Sequence, residues 1–314
     1  MMDLAFQAPT EAYKGRIQEV DIGGVTVGGE NTFPFHTFEG EMPNDVRIAF
    51  EVWDEAPDGW SPELDNVYGD VYEDVVAWAK KAEEEFGAEL LYLRLMSTNP
   101  DETNRDPKEA AQKAKEVVDA VGIPVIIVGS GDLDRDPEVM KAVGEAMGSA
   151  SVVIGNAEED NYRGIGATAM GYKHAVVAFS PCDVNLAKQL NVLLSQLGVE
   201  DSKIIMDPTT GALGYGLEYA YTVFERDRLA ALQQNDSKMQ MPIIATVGQE
   251  AWKAKETKVG EDELPGTGDM KTRGLMWEAM TAVSLMLAGA NIVVLRHPEA
   301  ADLIRETAAS LKGE

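Results

Sequence analysis

Cysteine is almost absent from this chain: one thiol, Cys182, occurs in 314 residues. A lone thiol closes no internal disulfide and holds no zinc or iron–sulfur centre, which need several thiolates or imidazoles. Histidine is nearly as scarce, with three in the chain, and none lies near Cys182 in sequence to act as its base. Positive charge is also short. Lysine and arginine total 27 against 54 aspartates and glutamates, a net charge of −27. So acidic a surface cannot neutralise phosphates, which argues against a nucleic-acid partner and against an anionic membrane. Long apolar runs are missing too. The longest, "LMWEAMTAVSLMLAGA" (275–290), is interrupted by Glu278 and is shorter than a membrane span. The opening "MMDLAFQAPTEAYKG" has no basic segment leading into an apolar core, so the expected location is the cytoplasm.

What is present is the balance of a folded domain, 45% apolar and 26% charged. Eight short aliphatic runs recur: "VRIAFEVW" (46–53), "AELLYLRL" (88–95), "IPVIIVGS" (123–130), "ASVVIGNA" (150–157), "KHAVVAFS" (173–180), "KIIMDP" (203–208), "MPIIATVG" (241–248) and "NIVVLRH" (291–297). Each is almost continuously apolar, as strands buried on both faces must be. Helical patterns separate them, with readable ends. Asp106-Pro107 and Asp136-Pro137 each open a helix as N-cap and first turn, and Glu109 completes a capping box for the first. Another starts at Asp183, runs Leu186, Leu190, Leu193, Leu194 and Leu197 down one stripe, and stops at Gly198. Alternating strands and helices in this number predict an α/β fold, a (β/α)8 TIM barrel over residues 46–314. The rival, a doubly wound open sheet, more often shows a glycine fingerprint after its first strand, and "EVWDEAPDGW" has none. Residues 1–45 stand apart as an N-terminal extension. There "RIQEVDIGGVTVGGE" alternates around Gly23-Gly24 as a hairpin fit to cap the barrel floor. The longest irregular insertions fall at 54–70 and 253–269.

In such a barrel the working residues stand where strands run into helices. Those positions carry Trp53 and Asp54, Ser97 and Asn99, Asp132, Asn156 and Glu158, then Ser180 and Asp183. Asp207 follows, with Thr246, Gln249 and Glu250, and lastly Arg296 and His297. The ring is rich in acids and amides and offers neither a Ser/His/Asp set nor enough ligands for a metal. Some positions read equally as structure: Asp183 as an N-cap, Asp132 as a turn residue, Gly211, Gly214 and Gly216 as turn glycines. His297, alone before a proline, reads as a structural hydrogen-bond donor. Asn156 and Asp207 follow their strands directly, and no helix there asks for a cap. A carboxylate and an amide converging in a pocket complement the N–H and C=O edges of a flat heterocycle.

Several long segments, in order, resemble one family. They are "FPFHTFEGE" (33–41), "FGAELLYLRL" (86–95), "VIGNAEEDNY" (153–162), "FSPCDVNLAKQLN" (179–191), "DPTTGALGYGLEY" (207–219), "TVGQEAWKAKE" (246–256) and "LRHPEA" (295–300). The chain is similar to the small (delta) subunit of the corrinoid iron–sulfur protein of the acetyl-CoA (Wood–Ljungdahl) pathway. The resemblance implies a barrel like those of pterin-binding methyltransferases and dihydropteroate synthase. It implies a large (gamma) partner subunit carrying a [4Fe–4S] cluster, with cobalamin shared between the two. It further implies methyl transfer from methyltetrahydrofolate, through a separate methyltransferase, to the acetyl-CoA synthase / CO dehydrogenase component. The chain itself is then expected to orient and exclude water rather than make bonds. The likeness to pterin barrels points to Asp132, Asn156 and Asp207 as polar contacts. The site implied for the corrinoid adds Asp183, Gly211, Gly214, Thr246, Gln249 and Glu250. A stand-alone pterin-dependent methyltransferase and a purely structural barrel are the alternatives.

Overall fold

The computed structural model describes residues 9–313. A two-stranded antiparallel hairpin comes first, β1 (Val20–Ile22) and β2 (Val25–Val27), paired Ile22 to Val25 across Gly23-Gly24. Both glycines take positive φ, 59° and 97°, the geometry a two-residue hairpin turn requires and most side chains resist.

Eight parallel strands follow among the described residues: β3 (Arg47–Trp53), β4 (Leu90–Arg94), β5 (Val125–Val128), β6 (Val153–Ala157), β7 (Ala175–Phe179), β8 (Ile204–Asp207), β9 (Ile244–Ala245) and β10 (Ile292–Leu295). They pair in sequence order, β10 beside β3, with β9 and β8 at the two ends. The ends meet through a parallel bridge between Met206 and Ile243, and the Met206 amide donates to the Pro242 carbonyl at 2.9 Å. The sheet therefore closes into a barrel, as expected.

Helices cover its outside: α1 (Pro62–Tyr68), α2 (Val75–Glu84), α3 (Pro107–Ala120), α4 (Asp136–Met147), α5 (Tyr162–Tyr172), α6 (Val184–Leu197), α7 (Leu217–Leu232), the short α8 (Val247–Ala251), α9 (Met270–Ala288) and α10 (Pro298–Lys312). None is long and apolar enough to cross a membrane, among the described residues. The punctuation is largely as the sequence predicts. Asp106 caps α3 through the Lys108 amide and Asp183 caps α6 through the amides of Asn185 and Leu186. Two details differ. The 54–70 insertion contains α1, whose cap is Ser61. The cap position of α4 is Arg135, and Asp136 is freed for another role.

The strand pleat sorts side chains by parity. Phe50, Val52, Leu91, Leu93, Ile127 and Ile154 pack outward with the helices in the larger core. Ala49, Leu90, Tyr92, Ile126, Val128, Val153, Val177, Ile205, Ile244, Ile292 and Val294 fill the barrel interior. Val20, Ile22 and Val27 of the hairpin belong to that same interior cluster. The hairpin is thus a plug for the barrel floor, each fully buried valine or isoleucine contributing about 1.5–3 kcal/mol. Nearby the Asn291 side chain donates to Glu30 at 2.9 Å, while Arg228 donates to Asn291 and to the Gly289 carbonyl. These buried bonds tie the extension to the barrel.

Candidate functional site

The inward row that is apolar at the floor turns polar at the mouth. On β3 the sequence runs Ala49 then Glu51; on β4 Leu90, Tyr92, Arg94; on β8 Ile205, Asp207; Ile244 of β9 is followed by Thr246 just past the strand, and Ile292 and Val294 of β10 by Arg296 just past it. The same alternation that builds the core therefore delivers charged groups to one layer at the C-terminal ends of the strands.

Glu51 is the anchor of this layer. Arg296 clasps it with two bonds, Nε to Oε2 at 2.7 Å and NH2 to Oε1 at 3.0 Å, and the Trp53 indole donates to Oε1 at 2.7 Å. Arg94 stands 3.8 Å away. Burial pushes the Glu51 carboxyl up, but Arg296 and then Arg94 outweigh it and hold it below the usual range. The Arg296 guanidinium also lies over the Trp60 ring, 4.2 Å from its centroid. Arg94 bonds Gln249 of α8.

Across the mouth three carboxyls are pushed up, each mainly by burial. Asp207 rises to about 6, although it accepts from the Thr209 amide at 3.0 Å and the Thr246 hydroxyl at 3.2 Å; nearby Glu250 raises it further. Glu158 rises to about 7, with Asp136, Asp160 and Asp207 adding to the effect of burial. Asp136 rises to about 6, with its burial partly offset by the Gly131 and Ser130 amides and then by Arg94. Burial thus acts on all three carboxyls, with neighbouring acids adding to it at Glu158 and Asp207. Asp136 reaches it because α4 starts one residue early. Its carboxyl turns back onto the β5 loop, accepting from Ser130 at 3.1 Å and Gly131 at 3.0 Å. A Cβ on Gly129 would come within 2.1 Å of that carboxylate, so only glycine fits there.

Polar atoms buried at this end with no hydrogen-bond partner among the described residues include Oδ1 of Asn156, Nε of Arg94 and Oγ of Ser180. Such groups are costly to leave bare and mark places where water or a ligand completes the bonding. Both donors and an acceptor are represented, a set suited to amide-bearing ligands. Tyr92 sits among these groups; burial raises its hydroxyl, and Asp207 and Glu51 add to the rise against Arg94.

Of the residues singled out from sequence, the structure brings Asn156, Asp207, Thr246, Gln249 and Glu250 to the mouth. Asp132 lies at its edge, its carboxylate spent on the amides of Asp134 and Arg135. Asp183 is exposed and caps α6. Gly211 serves a tight turn, since a Cβ there would meet the Tyr215 carbonyl at 2.4 Å. Gly214, with φ 73°, lies against Trp277, and Trp277 and Thr281 pin this loop to α9 by bonds to Leu213. His297 is buried; its Nδ1 accepts from the Glu299 amide at 3.2 Å as the cap of α10, so its structural role is that of an acceptor. Burial holds it neutral, down to about 4. Sequence reasoning passed over Glu51, Tyr92, Arg94 and Asp136. The first three are legible as polar residues two places beyond inward apolar ones; the fourth is not, because a cap and an inward carboxylate look alike in a string.

The fold and mouth thus define a class: an eight-stranded parallel barrel with a buried acid–amide–guanidinium layer at its C-terminal end. Solved barrels of this shape include dihydropteroate synthase from Stenotrophomonas maltophilia, at TM-score 0.60 and 16% identity over 93% of this chain and 98% of that one. The enzyme from Xanthomonas albilineans in complex with 7,8-dihydropteroate matches equally, at TM-score 0.60, 16% identity and the same coverage. At that identity the likeness speaks for the fold.

The sequence itself goes further. The family model described as CO dehydrogenase/acetyl-CoA synthase delta subunit matches residues 19–308, and the chain belongs to that family. It is 35% identical to the acetyl-CoA decarbonylase/synthase complex subunit delta of Methanothermobacter thermautotrophicus, over 96% of this chain and 77% of that protein. It is 37% identical to subunit delta 1 of Methanosarcina thermophila, over 95% and 71%.

Proposed function

We propose that this chain is the barrel subunit of a corrinoid protein, presenting cobalamin for methyl transfer within an acetyl-CoA decarbonylase/synthase complex. The observation that carries this reading is the mouth itself. It holds orphaned donors and an orphaned acceptor, yet its polar groups are already locked to one another rather than arranged as a nucleophile and base. Amide-rimmed corrin offers the matching acceptors and donors, so Asn156, Ser180 and Arg94 would hold its periphery, with Asp207 and Thr246 beside them. Cobalamin, when bound, supplies the centre that carries the methyl group. The chain's own work is to orient that face, to exclude water with the Trp53–Trp60 side of the rim, and to dock partners.

On this reading the partners are a large corrinoid iron–sulfur subunit holding the [4Fe–4S] cluster, a methyltetrahydrofolate methyltransferase, and the acetyl-CoA synthase component. A second reading is that the chain alone binds a tetrahydropterin. Its support is the placement of an amide and a carboxyl, Asn156 and Asp207, on neighbouring parts of one buried layer.

The deciding measurement is the visible spectrum after incubation with cobalamin, for the chain alone and co-purified with the large subunit. Corrinoid absorbance in the pair, weakened by Asn156→Ala, is the expected result. Tight methyltetrahydrofolate binding by the chain alone would favour the second reading, and no corrinoid in either sample would reject the first.

A further inference from the structure

The outer flank formed by α7, α9 and α10 does not look like the rest of this acidic protein. After Arg273, which is buried, the only charged residue in α9 is Glu278, and it faces inward with its carboxyl on the amides of Arg296 and His297. The whole solvent side of α9 from Met276 to Leu287 is therefore uncharged. Met276 is 44% exposed, Met280 46% and Leu287 38%. Leu303 of α10 stands exposed beside them, and a groove of about 310 Å³ runs between the two helices, lined by Met276, Met280, Val283 and Leu303. At the mouth end, half-buried Trp277 leads toward α7, where Tyr219 is 62% exposed. A chain carrying 26% charged residues does not leave so much flexible apolar surface bare by composition alone. Methionine is the residue that adapts to a partner's contour.

We infer that this flank docks another subunit of the complex through a helical face that is apolar along its centre and bordered by lysine or arginine. This inference rests on the chain's membership of a multi-subunit complex and adds where and by what chemistry it is gripped. Charge selects the occupant. Exposed acids stand on the two helices that pack beside α9: Glu218 and Glu225 on α7, and Glu299, Asp302 and Glu306 on α10. Lys271 already neutralises Glu299 and Arg305 neutralises Asp302. Glu218, Glu225 and Glu306 enter no ion pair among the described residues; the other cations not buried on α7 and α10 are Arg226 and Lys312, and Lys312 is paired with Asp45. A second copy would set this rim against itself and bring two chains of net charge −27 together, so a self-pair is disfavoured. A basic-bordered partner turns the same charges into steering. The opposite flank offers no such seat, since the outer side of α3 carries Lys108, Glu109, Lys115, Glu116 and Asp119.

The test uses the full chain co-expressed with the other subunits of its complex and purified through a tag on this chain. Met280→Glu is expected to weaken recovery of one defined subunit by about tenfold or more, the effect of removing an interface anchor. Thermal unfolding of the free chain should be unchanged, as should recovery by Lys115→Glu on α3. Glu225→Lys with Glu306→Lys should weaken the same association and flatten its salt dependence. Met276→Gln provides a milder probe should Met280→Glu fail to fold. Unaltered recovery by every α9 variant overturns the inference. So does a homodimer of the chain alone that Met280→Glu dissociates, which would assign the flank to a second copy. Corrinoid absorbance is recorded on the same samples. A subunit recovered without corrinoid would count against the proposed function and leave this inference standing, while corrinoid retained by Met280→Glu with full recovery would do the reverse.

Discussion

Two helices on opposite sides of one barrel solve the same packing problem in different ways. α3 buries only small residues and one valine, Ala110, Ala111, Ala114 and Val117, and gives its outer face to charge. α9 buries a carboxylate, Glu278, between alanines and leucines, and gives its outer face to methionine and leucine. Both are stable outer helices of a TIM barrel. The difference lies in what each does beyond covering the sheet. α3 closes the barrel and faces water. α9 reaches inward to hold the start of α10 and the end of β10, next to the Arg296–Glu51 pair, and outward to an apolar groove. α9 departs from the ordinary helix pattern on both sides, with one carboxylate among its buried apolar residues and methionine and leucine among its exposed ones.

The contrast is sharpest at Glu278. Its carboxyl accepts from the Arg296 amide at 2.6 Å and the His297 amide at 3.1 Å, all of them buried. Glu278→Ala leaves two buried donors bare and opens a cavity, so a loss of about 3–5 kcal/mol is expected in urea unfolding. Val117→Ala, the nearest equivalent on the inner face of α3, should cost about 1–2 kcal/mol. Equal losses would erase the distinction between the two helices.

Asp227, on α7 beside α9, gives the next largest effect and a pH signature. Both its oxygens are buried without a partner among the described residues, and burial pushes it up to about 7, against Arg228, with Asp183 adding to the rise. Its folded pKa lies above the ordinary aspartate value of 3.8, so the folded chain holds the proton more tightly. Stability is then lost as pH rises from about 4 through about 7. Asp227→Asn should stabilise the chain by on the order of 2 kcal/mol at pH 8 and change little at pH 4. Thermal unfolding at the two pH values checks this; a gain at both would point to packing instead. No comparable group exists on α3, whose buried side chains are all apolar.

The smallest effect concerns the caps, where the two helices are alike. Asp106 accepts from the Lys108 amide at 2.9 Å and Asp269 from the Thr272 amide at 2.8 Å, both in the open. Replacement by alanine should cost about 1 kcal/mol in each case, read from denaturant midpoints. A much larger loss at Asp269 would mean that α9 depends on its cap in a way α3 does not.

How far each feature could be read in the string follows from the range of the forces involved. The eight strands, the Gly23-Gly24 hairpin and the caps at Asp106 and Asp183 are local: runs of residues buried on both faces, a turn that needs positive φ, a side chain meeting an amide two or three residues on. These the sequence determined by itself. Asn156 and Asp207 were visible for the same reason, as polar residues ending apolar strands. Glu51, Tyr92 and Arg94 were there to be read by parity, but only once it was known which parity faces the barrel interior, and that is settled by closure of the sheet. Asp136 and Asp132 exchanged roles, since a single residue's shift in where α4 begins decides which carboxylate turns inward. The glycine loop after Asp207 looked open and is packed against Trp277 and Thr281 of α9, a contact between segments more than sixty residues apart. Glu278, the residue that broke the longest apolar run, was legible only as an interruption. What it interrupts for, two amides at the foot of α10, was decided by tertiary structure, because a buried carboxylate is tolerated only where distant backbone supplies its hydrogen bonds.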